Sequence, residues 1–185
     1  MLKPLSDVRN LKDPLKQFVC NFSLAFPATS QLNQYIDTKD LVLRATSYSL
    51  PSFKSQSTDV TWAGFERKYG GRQQRQGEWS CEIVEVWDAR VVEVFKRWFN
   101  AYHNYKDGTI ALLDQYCGTV DLELVNPDVY EPQPDGIHKY SMRLYDVFPT
   151  DAQLPTIDAS SSEAVKISCT LNYNFFLVGD EIDGQ

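Results

Sequence analysis

The chain has 185 residues, 43% of them hydrophobic, enough for one domain with a full core, and a net charge of −7. That charge argues against a surface that grips nucleic acid, because phosphate binding relies on clustered lysine and arginine. No apolar run approaches the ~18 residues of a membrane span, and the opening MLKPLSDVRNLKDPLKQ has no apolar centre, so neither a membrane anchor nor a secretory signal is expected.

Residues 1–16 hold Pro4, Pro14 and several charges without a sustained period, which predicts an arm packed on something else, such as another subunit. Phe18, Cys20, Phe22, Leu24 and Phe26 alternate without a break up to Pro27, the pattern of a half-buried strand. Leu41, Leu43 and Ala45 extend the alternation toward Leu50-Pro51, where proline has no N–H to donate. A further strand within Thr58–Tyr69 carries Trp62 and Phe65, and Gly70–Gly77 (GGRQQRQG) reads as a flexible turn leading back to the next strand. Together they predict a long hairpin with Arg67, Lys68, Arg72 and Arg75 gathered in its tip region. A solvated hairpin end and contact with an acidic neighbour both account for this cluster, while DNA binding fits the acidic whole least.

Trp79, Cys81 and Ile83 alternate with Ser80 and Glu82 as a strand with one buried face, and this strand runs straight into a helix expected over about 88–104. Asp88 is the expected N-cap. Val91, Phe95, Trp98 and Tyr102 form the apolar stripe opposite Arg90, Glu93, Arg97 and Asn100, and Asp107-Gly108 closes the helix. Val120, Leu122 and Leu124 then alternate with Asp121 and Glu123, giving a strand with one apolar and one largely acidic face. NPDVYEPQP at 126–134 reads as a loop, and Asp135-Gly136 as a turn before a strand over Lys139–Phe148 with Met142 and Leu144 inward. After a polar loop ending in Ser160-Ser161-Ser162, Val165, Ile167, Cys169, Leu171, Tyr173, Phe175 and Leu177 alternate through what reads as one long central strand. The acidic tail at 179–185 reads as frayed.

Four cysteines show no C-x-x-C spacing and only two histidines, His103 and His138, are present, so no metal or cofactor is expected. Cys20, Cys81 and Cys169 fall on apolar strand faces, where a free thiol packs as a small hydrophobe. Cys117, beside Gly118 at a strand entrance, is the cysteine with a place near the surface, where a disulfide, even one between subunits, stands against the plainer reduced thiol. A G-x-S-x-G elbow, a phosphate loop and a dinucleotide glycine pattern are all missing. Asp121 and Glu123 could in principle serve a glycosidase, but two carboxylates on one strand face are more simply a solvated surface. The residues themselves stop at a mainly β domain with one helix and no catalytic constellation.

Several landmarks keep a common order around that helix: Arg44-Ala45-Thr46 leading to Leu50-Pro51, the long hairpin, Trp79 before a strand that ends at Asp88-Ala89-Arg90, Phe148-Pro149-Thr150, and the closing Thr170-Leu171-Asn172-Tyr173. In this order, from Phe18 to Val178, the chain resembles the tail tube proteins of contractile-tailed, T4-like bacteriophages, whose relatives include tube proteins of pyocins, contractile injection systems and type VI secretion. The resemblance implies an antiparallel β-sandwich or small barrel carrying the 88–104 helix, one domain over 1–185, and no enzymatic activity. It further implies a virion protein assembled in the host cytoplasm, whose hexameric rings stack into the inner tube of the tail, with sheath and baseplate proteins as partners and DNA passing through the lumen. On that reading Arg67, Lys68, Tyr69, Arg72 and Arg75 form a subunit or ring interface, Asp121 and Glu123 are acidic lumen-facing candidates, and Cys117 is a candidate for an inter-subunit disulfide. A like-charged lumen lets a polyanion slide past without sticking. The alternatives are the tube of an injection or secretion machine and, from another class, a monomeric β-barrel around a small ligand.

Overall fold

The computed structural model describes residues 20–28, 30, 32, 38–86, 88–124, 140–154 and 163–183. The expected arm at 1–16, Phe18, the 126–134 loop, the Asp135-Gly136 turn and the Ser160-Ser161-Ser162 stretch lie outside the described residues. One antiparallel sheet runs β1 (Cys20–Ala25), β6 (Gly118–Leu124), β7 (Tyr140–Gln153), β8 (Lys166–Tyr173), β5 (Gly77–Val84) and β2 (Ala45–Tyr48), with β9 (Phe175–Val178) also paired to β7. A separate hairpin is made by β3 (Lys54–Trp62) and β4 (Phe65–Gln74). Helices α1 (Thr38–Arg44), α2 (Arg90–Tyr102), α3 (Leu113–Tyr116) and α4 (Asp180–Asp183) complete the described elements. The mainly β, antiparallel architecture with one long helix is the expected one.

Cross-strand pairs bring the alternating apolar residues into one core. Phe22 and Leu24 lie opposite Leu122 and Val120, these lie opposite Met142 and Leu144, and Ile167, Cys169 and Leu171 lie opposite Ile83, Cys81 and Trp79. All are buried. Strand β7, fourteen residues long, serves both halves: its first part pairs with β6 and β9, its second with β8. Strict alternation along it would turn Val147 and Pro149 outward after Leu144. Asp146 prevents this by taking a positive φ of 53°, an extra residue that restores the inward phase, so that Leu144, Val147 and Pro149 are all buried.

The neighbouring strand makes the matching break. The long strand expected over 165–177 divides at Asn174, whose backbone N–H donates to the Tyr145 carbonyl (3.1 Å) and whose side-chain amide donates to Asp146 Oδ2 (3.2 Å). Past the break, Phe175 faces outward and stacks on Tyr145 with ring centroids 4.5 Å apart, while Phe176 takes the core position.

Two other expectations are corrected. Leu41 and Leu43 are not on a strand but on α1, where residues two apart diverge by about 200°; Leu41 is buried and Leu43 exposed. The Gly70–Gly77 stretch is not the hairpin turn, since β4 continues to Gln74 and the chain reverses at Ala63-Gly64, both at positive φ (50° and 82°), as a tight hairpin turn requires. A register shift between Ser55 and Ser57 gives β3 an irregularity beside Gly71, where an added Cβ would lie 2.8 Å from the Gln56 carbonyl oxygen.

Helix α2 buries Val91, Val94, Phe95 and Trp98, one turn more compact than the expected stripe, and Tyr102 is half-buried. Its cap differs from the expected Asp88. Ala89 is the cap residue, and the acceptor for the helix start is mainly Glu85, which takes hydrogen bonds from the backbone N–H groups of Val86 (2.9 Å), Val91 (3.4 Å) and Val92 (3.0 Å). Asp88 accepts a longer one from the Arg90 N–H (3.4 Å) and pairs with both Arg44 Nη atoms (3.2 and 3.3 Å). At the other end of the stripe the Trp98 indole N–H donates to the Tyr116 carbonyl (2.8 Å), tying α2 to α3.

Trp98 is 0% exposed and meets Phe26 edge-on at 4.7 Å, so Trp98→Ala should destabilise the fold by about 3–5 kcal/mol. Glu85→Ala, which orphans the helix start, should cost about 1–2 kcal/mol. Urea denaturation measures both, and a Trp98→Ala midpoint equal to the parent's would show that the indole is not part of the core.

Candidate assembly surfaces

The outward faces of the two halves of the sheet differ in chemistry. On the half made by β2, β5, β8 and the end of β7, most outward side chains are short and polar: Ser47, Ser80 and Ser168 are exposed and Thr170 half-exposed, with Glu78, Glu82, Asp151 and Lys166 as the charges and Val84 and Phe148 as half-buried apolar residues. The Ser80 hydroxyl lies 3.2 Å from that of Ser49, and Thr150 donates to the Thr170 carbonyl (3.1 Å). This half also ends in two free borders among the described residues, β2 on one side and Thr150–Gln153 of β7 on the other. The alternation Trp79, Cys81, Ile83 against Ser80 and Glu82 produces the face directly, since a strand that buries every second residue must expose the ones between.

On the other half the expected acidic face is not purely acidic. Asp121, across from Arg143 on β7, accepts hydrogen bonds from its Nε (2.5 Å) and Nη2 (3.3 Å), and the guanidinium is held above its already high ordinary pKa chiefly by that bond. Glu123, half-buried, is two residues further along β6. Tyr145, Phe175 and Leu177 share this side, so it combines a neutralised ion pair with aromatic surface. Arg143 could have been found from sequence by extending the outward alternation of β7, Ser141-Arg143-Tyr145, opposite that of β6.

The five residues expected at an interface do not form one patch. Cross-strand pairing puts Arg67 and Tyr69 on the same hairpin face as Val60, Trp62 and Phe65, and Lys68 on the opposite face beside Asp59. Arg72 is exposed near the base of β4, and Arg75 lies beyond the end of that strand. Trp62 and Phe65 are 84% and 80% exposed, so the hairpin's apolar face is uncovered among the described residues. Cys117, expected near the surface, is 5% exposed, and burial pushes its thiol up to about 12. A thiol in that position offers no surface to a second subunit. Cys81 and Cys169 are buried opposite each other as free thiols, as expected of core residues.

A sequence profile of the phage tail tube protein family matches residues 15–179. The chain belongs to the phage tail tube protein family. Membership makes it a structural protein rather than an enzyme, in line with the resemblance read from its landmarks. No curated protein matches it in sequence. Solved structures agree in fold: the tube-terminating cap of the anti-feeding prophage is 16% identical with a TM-score of 0.61, covering 91% of this chain and 92% of that one. A chain of the PVC sheath–tube complex, an extracellular contractile injection system in its extended state, is 14% identical with a TM-score of 0.59 over 96% of this chain and 98% of that one. A chain of the PVC sheath/tube terminator is likewise 14% identical at 0.59, over 91% and 98%.

In this tail tube protein the end of the described chain is fastened rather than frayed. Arg75 donates from Nη1 and Nη2 to the Glu181 carboxylate (2.6 and 2.8 Å) and from Nη1 to the Phe176 carbonyl (3.3 Å), while Glu181 also accepts the Val178 N–H (3.3 Å). The short helix α4 is thereby latched to the β4–β5 connection, and the acidic partner of Arg75 is in its own chain. Hydrogen bonding by Arg75 holds the Glu181 carboxyl below its ordinary value of 4.5. A depressed carboxylate stabilises above the unfolded value and loses that contribution as pH falls through the folded one. The latch should therefore hold at neutral pH and open as pH drops below about 4.5. Hydrogen exchange at the Ile182 amide should quicken over that range, and Glu181→Gln should show the fast exchange already at neutral pH; an amide equally protected in both proteins at both pH values would show that the ion pair does not hold α4.

Proposed function

We propose that this tail tube protein forms hexameric rings that stack into the inner tube of a contractile phage tail, inside the sheath and above the baseplate, with DNA leaving through the lumen. The observation that carries the reading is the four-stranded half-sheet with two free borders and a face of short hydroxyls. Free backbone groups along a sheet edge are a template for pairing with another chain, so β2 of one copy beside the end of β7 of the next would continue the sheet around a ring. The hydroxyl face then lines the channel: its exposed side chains are mostly short and polar, and its few charges, Glu78, Glu82 and Asp151 against Lys166, are negative on balance, so little on it would hold a passing polyanion. Asp121 and Glu123, the lumen candidates from sequence, lie on the other half, whose ion pair and aromatic surface suit contact with a neighbour better than a channel wall.

A tube in an injection machine is the second reading, supported by the fold shared with the PVC and anti-feeding prophage chains. It keeps the rings and changes the cargo. The third reading, a barrel around a small ligand, is less well supported because Trp79, Trp98 and Phe176 fill the interior with less than 2% exposure each.

Negative-stain images of the purified protein should show rings or stacked tubes with a central channel; a monomer at all concentrations, in low and high salt, would overturn the assembly. Ser80→Lys with Ser168→Lys adds cations to the proposed wall, and tubes of this variant should retain DNA with an affinity that falls as salt rises, whereas parent tubes should not. Tubes of the variant that ignore DNA would place this face elsewhere.

A further inference from the structure

Every residue of the β3–β4 ribbon from Lys54 to Gln73 is exposed, so packing along its length does not set the angle at which it leaves the sheet. A two-stranded ribbon on its own is marginal in water, and its stance has to come from its base. Both strands are fastened there to the same short stretch of chain. On the way in, the Phe53 ring meets Phe176 edge-on with centroids 5.0 Å apart. On the way out, Arg75 donates from Nη1 to the Phe176 carbonyl (3.3 Å) and from both Nη atoms to the Glu181 carboxylate (2.6 and 2.8 Å). Gly77 then lies against Tyr173, where an added Cβ would come 2.7 Å from the hydroxyl oxygen, and the Tyr173 ring meets Phe176 edge-on at 6.0 Å.

The two fasteners differ in kind. Phe176 is 0% exposed and fixed in the core, whereas Phe53 is half-exposed, and an edge-on ring contact of this sort lets the ribbon turn about it. A guanidinium fork meeting a carboxylate in two parallel hydrogen bonds sets a direction. Glu181 is itself firmly mounted: Gly179 turns the chain at a φ of 52°, its N–H donates to the Ser141 carbonyl on β7 (2.8 Å), the Ile182 N–H donates to the Gly179 carbonyl (3.0 Å), and Glu181 accepts the Val178 N–H (3.3 Å). Exposed ion pairs usually add little to stability. What this one supplies is orientation.

We propose that α4 is a clamp that sets the direction of the hairpin. With Glu181 on Arg75 the ribbon is held at one angle to the sheet, and with the pair parted it swings about the contact between Phe53 and Phe176. The device lies within one chain and does not depend on the tube reading.

The test places two spin labels on one chain, at Glu66→Cys on the hairpin and Asn100→Cys on α2, both exposed positions. Labelled protein is diluted in unlabelled parent so that only distances within a chain are read, by double electron–electron resonance, and the parent treated with the same label supplies the blank for its native cysteines. The labelled protein should give one narrow distance distribution. Glu181→Gln and Arg75→Gln should each at least double its width, and the two together should widen it no further. The exchanged pair, Arg75→Glu with Glu181→Arg, should recover most of the narrow form, which a general loosening of the structure would not allow. A width unchanged by Glu181→Gln, a width already broad with the pair intact, or an exchanged pair as broad as the single variants would each overturn the clamp. So would a spread produced by Phe53→Ala but by neither change to the ion pair, since the aromatic contact would then hold the ribbon by itself.

Discussion

The fold depends on keeping one apolar surface continuous along a ribbon that belongs to two halves of a sheet. Strand β7 has to face the core against β6 at one end and against β8 at the other, and a period of two cannot do so across a bend. The extra residue at Asp146 and the break at Asn174 solve the problem together, since each is hydrogen-bonded to the other's strand and each shifts the phase by one. If only one strand shifted, Leu144 and Phe176, paired across them on one side of the break, would lose register with Pro149 and Leu171 on the other. Core packing, the half-sheet borders and the outward hydroxyl face all follow from that paired irregularity.

A second constraint joins the sheet to the helix. Strand β5 ends one residue before Glu85, and α2 begins at Arg90, so the chain must turn from sheet to helix within a few residues. Glu85 accepts from N–H groups on both sides of the turn, and Arg44 stands near it at 3.9 Å and against Asp88 at 3.2 Å, so the end of α1 is fixed at the same place. An anion among the free N–H groups of a helix start is favoured by the dipole as well as by hydrogen bonding. Through this cluster the edge of the serine-faced half-sheet and the helix that covers the core are held as one body.

How much of this was legible in the sequence varied with the kind of signal. Burial of Trp79, Cys81, Ile83, Val120, Leu122, Met142 and Leu144 followed from alternation alone, because a half-buried strand has no other way to arrange them. The helix was legible to within two residues at each end, but its cap was not: Asp88 has the right chemistry and position, and only the path of the chain reveals that Glu85 reaches the N–H groups instead. The phase break at Asn174 was hidden because Phe175 and Phe176 are both apolar, so either assignment fits the pattern. Gly70-Gly71 attracted the hairpin turn away from Ala63-Gly64, since a pair of glycines is the stronger local sign, although here Gly71 serves close backbone approach to Gln56. The basic cluster was legible as composition and misleading as a patch: strand alternation separates Lys68 from Arg67, and Arg75 finds Glu181 more than a hundred residues away.

The edges of the sheet and the faces of the hairpin are the surfaces on which the proposed assembly draws. Among the described residues its open borders, β1, β2 and Thr150–Gln153 of β7, hold no lysine or proline of the kind with which solitary sheets block pairing at their edges. Its hairpin is asymmetric too, largely apolar on one face and charged on the other, where Asp59 and Glu66 accompany Lys68. A self-complementary patch would stop at a dimer, whereas a border that meets a different border closes a ring or winds on. On the proposed reading, the unlike borders of one half-sheet are therefore enough for a single small chain to continue its sheet around a ring.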